Sequence, residues 1–233
     1  MWHELDHPRR TFDARYDLHV AEIVFVHGIA NEQSSADLLE GSWKAQTAGG
    51  LRAAGFPELA DRVSRDRSLP GAIDCRMAFY GNLFLKPGGQ GAGEELSDPR
   101  YLQLADELAM EWLENVASRA TLDEDRWDAA RVVTTEQGSE EGAQGTGALI
   151  GRAFNALSRV PYFAEATFGS AAFVKRALRQ VVLYLEDPHI RPAAQGRVRD
   201  LLGPETRVLI GHSLGSVVAW EALHYATDKV PLF

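Results

Sequence analysis

The chain has 233 residues, 45% of them hydrophobic, enough to bury a full core in one large α/β domain. Its 24 basic side chains stand against 33 acidic ones, and the resulting formal charge of −9 opposes nonspecific attraction to DNA, RNA or anionic lipid, so no nucleic-acid partner is expected. A single cysteine, Cys75, excludes an intrachain disulfide and any multi-cysteine zinc site; with no apolar signal core in "MWHELDHPRR" and no apolar run of about eighteen residues, a cytoplasmic protein is expected.

The first strand is expected in "AEIVFVHG", residues 21 to 28, a short continuous apolar run rich in β-branched side chains and closed by Gly28. A strand buried on both faces of a parallel sheet reads this way. A helix follows from Ser34 to Ala54, with Leu38, Leu39, Trp43 and Leu51 on its apolar side, and then a second strand in "IDCRMAFYG", residues 73 to 81, where Cys75 reads as a buried thiol. Strand, helix, strand implies a right-handed parallel crossover.

From Lys86 to Glu186 the rhythm changes. "KPGGQGAGEELSDP" is a Gly/Pro-rich linker, and Asp98-Pro99 opens a helix carrying Leu102, Ala105, Leu108, Ala109, Trp112, Leu113 and Val116 at three- and four-residue steps. "TEQGSEEGAQGTG", 135 to 147, reads as a polar loop, and helical segments with Leu149, Ile150, Phe154, Leu157, Phe163, Phe168, Phe173, Val174 and Val181 follow. Residues 86 to 186 therefore read as a mainly helical insertion within a single domain. Two roles stay open for it: a lid over a site at the carboxyl ends of the strands, or extra core against the sheet. Its polar faces are not notably basic, which disfavours a helix lying on a membrane or lipid interface.

A third strand, "RVLIGHS" at 207 to 213, runs into Gly-His-Ser-Leu-Gly. Gly-x-Ser-x-Gly alone is a modest signal, but here an apolar strand enters it and a helix from Leu214 to Tyr225 leaves it, with Val217, Val218, Ala219, Ala222 and Leu223 suited to burial. A serine on such a turn has strained backbone angles and projects its oxygen above the sheet, and Gly211 and Gly215 remove the bulk that would collide where helix passes strand. Ser213 is the candidate nucleophile, with His212 packing or lining the site. Acyl transfer needs two N–H donors for the developing oxyanion: Leu214 supplies one, and Ile29 in "HGIA" after the first strand is the natural second. His27 and Gly28 shape that turn, and His27 reads as structural or substrate-lining rather than as the general base.

"IVFVHGIANEQ", "MAFYGNLF" and "YLEDPHIRPAAQGRVRDLLGPETRVLIGHSLGSVVAWEAL" together resemble the α/β-hydrolase superfamily, in particular bacterial serine hydrolases of lipase, esterase or peptidase type. The resemblance implies a mostly parallel sheet flanked by helices, no cofactor or metal, and a small-molecule ester or acyl substrate; it leaves the oligomeric state open. It also implies a triad in the order Ser, Asp or Glu, His on later strands. The 20 residues after Ser213 hold only the elbow helix and the loop "ATDKVPLF". Asp228 lies beyond a helix leading away from the active face, His224 is roughly 16 Å along that helix, and His189 reads as a surface or capping residue. The expectation is an incomplete hydrolase domain, later strands absent: either the N-terminal part of a longer hydrolase whose acid and histidine lie beyond Phe233, or, the favoured alternative, a C-terminally truncated version with little or no turnover; the rival is a noncatalytic binding module or degenerate hydrolase on the same scaffold. "HELDH", 3 to 7, matches a zinc-protease pattern but is followed at once by Pro8, and "GGQGAG", 88 to 93, lacks the Lys-Ser/Thr of a nucleotide loop.

Overall fold

The computed structural model describes residues 20–85, 98–119, 127, 130, 171–226 and 230–232. Three short strands, β1 (Ile23–Val26), β2 (Cys75–Ala78) and β3 (Val208–Gly211), pair in parallel in the order β2-β1-β3. Phe25 of the central strand stands between Met77 on one side and Ile210 on the other. Every residue of β1 is buried, because each face of the sheet has its own core.

Alternation along β1 divides these cores. Ile23 and Phe25 point to the face covered by α1 (Ala36–Ala53) and α2 (Pro57–Ser64), where they meet Ala48, Ala60, Val63, Cys75 and Met77. Val24 and Val26 point to the other face. Beyond α3 (Pro99–Arg119), which packs on α4 (Ala171–Glu186), that face is closed by α4, α5 (Ile190–Arg199) and α6 (Leu214–His224), through Tyr184, Ala194, Val198, Val218, Ala219 and Ala222. Each fully buried Val, Leu or Phe contributes about 1.5–3 kcal/mol, so the two cores together hold β1 at the centre. The described residues form an α/β arrangement, a small parallel sheet flanked by helices.

Local chemistry sets the helix ends. Ser35 caps α1, its Oγ accepting from the Leu38 N–H at 3.3 Å, so the helix begins inside the expected span. Asp98 accepts from the Arg100 N–H at 2.9 Å as Pro99 opens α3, whose Ala105 and Ala109 are buried. The short helix α2 was not anticipated; Pro57 at its first position and Ala60 and Val63 on its inner side are its signals.

Two apolar positions differ from expectation. Leu38 is 70% exposed, because one residue is about 100° of helical turn and Leu39 takes the inward direction. Glu40 is buried instead, its carboxylate held by Arg67 at 3.0 Å and by the Met77 N–H at 3.3 Å. Val217 is 43% exposed for the same angular reason, while Val218, Ala219 and Ala222 face the sheet. Cys75 is buried, and burial pushes its thiol up to about 11.

Of the expected insertion, α3 and α4 are described. Residues 86–97 of the linker, the loop at 135 to 147 and the positions from Leu149 to Phe168 lie outside the described residues, as do "HELDH" and Asp228. Among the described residues no helix is long and apolar enough to cross a membrane.

Candidate functional site

The chain leaves β1 for α1 on one face of the sheet and leaves β3 for α6 on the other. Adjacent parallel strands whose connections diverge in this way open a crevice at their carboxyl ends, which is where open α/β sheets hold ligands. Gly28, His212 and Ser213 meet at this point.

Ser213 joins β3 to α6 with φ 55° and ψ −130°. A side chain is rarely tolerated there, at a cost of order 1–3 kcal/mol, so the surroundings must impose it. They do so by close approach of backbones. A β-carbon on Gly211 would lie 2.7 Å from the Ser216 Cα, and one on Gly215 would lie 2.3 Å from the carbonyl oxygens of both Val26 and His27. The turn is then tied by Gly215 N–H to His212 O at 2.9 Å, Ser216 N–H to Ser213 O at 2.9 Å, and His212 N–H to Val26 O at 3.1 Å. Ser213 and His212 are exposed, and the Ser213 hydroxyl has no hydrogen-bond partner among the described residues.

The loop after β1 comes directly against this turn: a β-carbon on Gly28 would be 2.9 Å from both His212 O and Ser213 Cβ. Its Gly28–Ile29 peptide is anchored through the Gly28 carbonyl, which accepts from His27 Nδ1 at 2.7 Å and from Asn31 Nδ2 at 3.1 Å. Because a peptide is planar and trans, fixing that carbonyl fixes the opposite direction of the Ile29 N–H. Asn31 Nδ2 also donates to Ile29 O at 2.9 Å. Neither the Ile29 nor the Leu214 N–H is engaged among the described residues, and Leu214 begins α6, at the positive end of the helix.

His27 is buried and fully committed. Its Nε2 accepts from the Tyr80 N–H at 3.1 Å, so the proton sits on Nδ1 and is donated to Gly28 O. The ring stacks on Tyr80 at 4.2 Å, and the Tyr80 hydroxyl donates to His27 O at 2.6 Å. Burial, against the Gly28 bond, lowers its pKa to about 4. With both nitrogens occupied, His27 has no free position from which to take a serine proton. His212 turns its ring edge-on to Trp43 at 6.3 Å, His224 Nδ1 is tied to Trp220 O at 2.8 Å, and His189 is exposed at the start of α5. None of these is hydrogen-bonded to Ser213.

Two polar networks brace the site. Ala30, at φ 61°, donates its N–H to Gln180 Oε1 at 2.8 Å; Gln180 Nε2 donates to Glu32 Oε2 at 2.7 Å, and Arg176 Nη1 lies 3.3 Å from Glu32 Oε1. On α6, Glu221 accepts from Tyr184 Oη, from Nε and Nη2 of Arg191 and, at 2.9 Å, from Gln195 Nε2, clamping the helix to α4 and α5. Burial works to raise the Glu221 carboxyl, yet the bonds from Arg191, Tyr184 and Gln195 outweigh it and hold the group below its ordinary value. Sequence reasoning passed over these residues. Asn31 and Glu32 immediately follow "HGIA", a visible signal; Gln180 lies 150 positions from Ala30 and has no local one.

No protein-family model, curated protein or solved structure matches this chain.

Proposed function

We propose that the chain is a serine hydrolase domain of α/β-hydrolase type acting on carboxylic esters, with amides the weaker candidates. The observation that carries the reading is the left-handed backbone of an exposed serine between strand and helix, beside a glycine of the neighbouring strand's loop. Nothing in packing alone rewards a strained serine; a projecting hydroxyl does. In this reading Ser213 Oγ attacks the acyl carbon, and the Ile29 and Leu214 N–H groups stabilise the oxyanion. The ester C–O bond then breaks, the proton from Ser213 leaves with the alcohol, and water releases the acid from the acyl-enzyme. The histidine and acid that move the proton belong to residues outside those described.

A fluorophosphonate probe tests it. Ser213 Oγ forms a bond to phosphorus and fluoride leaves, so the intact mass of folded protein rises by the phosphonyl group; Ser213→Ala shows no gain. A second reading, a noncatalytic module on this scaffold, is favoured by the lack of any partner to the Ser213 hydroxyl among the described residues. Folded protein that remains unlabelled decides for the second reading.

A further inference from the structure

We infer that Gln180, oriented by Glu32, is a positioning residue for the loop that carries the Ile29 N–H. The catalytic consequence rests on the serine-hydrolase reading; the anchoring itself does not.

Ala30 follows Ile29 directly and adopts φ 61°, a conformation that an alanine does not hold by local preference. Its N–H is claimed by a side chain from α4, 150 residues away, at 2.8 Å. A glutamine amide can face a neighbour with either its oxygen or its nitrogen, and only one orientation serves Ala30. Glu32 decides which. An ionised carboxylate only accepts, so Gln180 must turn Nε2 toward Glu32 Oε2 at 2.7 Å, and Oε1 is left for the Ala30 N–H. Glu32 and Gln180 are both buried, so turning the amide round would leave a donor facing a donor and an acceptor facing an acceptor, out of reach of water. Arg176 balances the Glu32 charge at 3.3 Å. The Gly28–Ile29 peptide is therefore held from both ends, by His27 and Asn31 on the Gly28 carbonyl and by Gln180 on the next N–H. Donors aimed at a transition state must be placed within a few tenths of an ångström, and this loop has no regular structure of its own to place them.

The test exchanges the two side chains. Gln180→Glu sets two acceptor-only groups against each other; Gln180→Glu combined with Glu32→Gln restores both hydrogen bonds with the inner one reversed. Gln180→Met removes the acceptor while nearly keeping volume. We expect the fluorophosphonate labelling rate of Ser213 to fall about tenfold or more in both single variants and to return to within about threefold of the parent in the exchanged pair. Amide hydrogen exchange by NMR gives a reading independent of the serine: Ala30 loses its protection in Gln180→Met and keeps it in the exchanged pair, with α4 amides unchanged. Parent protein that fails to label, with Ala30 responding in this way, defeats the hydrolase reading and sustains the anchor. Ala30 exchange unaltered in Gln180→Met, or, where the parent labels, single variants labelling at the parent rate, overturns the positioning role. Should Gln180→Glu fail to fold, Gln180→Met and the exchanged pair still decide the matter.

Discussion

Gly215 lies directly on the backbone of Val26: a β-carbon at Gly215 would stand 2.3 Å from the Val26 carbonyl oxygen, well inside any sustainable contact. The elbow helix α6 thus rests on the central strand with no side chain between them, and this contact brings Ser213 beside the loop after β1.

Gly215→Ala is expected to destabilise the fold by about 3 kcal/mol or more, because the obstacle is backbone on both sides and cannot rotate away. Gly196, inside α5 with nothing within 4 Å of the place an alanine methyl would take, is the control. Gly196→Ala should stabilise by about 0.5–1 kcal/mol through helix propensity. Urea unfolding of the two variants should move in opposite directions from the parent.

Ser213→Gly should raise stability by about 1 kcal/mol, since glycine adopts φ 55° freely, whereas Ser213→Ala keeps the β-carbon and with it the strain. Equal denaturation midpoints for the glycine and alanine variants would show that the turn stores no strain.

His27 makes stability depend on acid. Folded, it takes a proton only near 4; unfolded, near its ordinary 6.5. Stability from this group is therefore complete above 6.5, is lost as pH falls, and is gone below about 4, a total of about 3 kcal/mol. His27→Asn, which retains a donor for Gly28 O, should be less stable at pH 7 but flatter between pH 7 and 4. NMR titration of the His27 imidazole should show its midpoint near 4 rather than 6.5.

Glu221→Gln removes the charge from the clamp on α6 while keeping its shape. Loss of charge-assisted bonds from Arg191 and Tyr184 should cost about 1–3 kcal/mol at pH 7, toward the lower end because the Arg191 side chain is 43% exposed and screened. The folded Glu221 carboxyl lies below its ordinary value, so the advantage of the parent is present above that value and vanishes as pH falls through the folded one. Parallel denaturation at pH 7 and pH 3 checks both size and sign.

The strands were legible because β1 is buried on both faces, so its apolar residues are consecutive, and because Gly28 and Gly211 mark where chains must pass closely. Which side of a helix is covered was less so. Leu38 and Leu39 are alike in composition, and only the azimuth at which Ser35 starts α1 sends Leu39 inward and Leu38 to water. Buried polar residues were least legible: nothing near Gln180 in sequence refers to Ala30, and nothing near Glu40 announces that it will take the Met77 N–H.

By itself the sequence determined the three strands, their parallel pairing, the helices that follow β1 and β3, and the place of Ser213 at a strand-to-helix turn, since these follow from short-range periodicity and from glycines spaced around one residue. Tertiary structure alone decided that His27 is a neutral, doubly bonded strut and that Gln180 holds the loop beside Ser213. Both depend on partners brought from 53 and 150 positions away, and hydrogen bonds over such separations are settled by packing, not by local pattern.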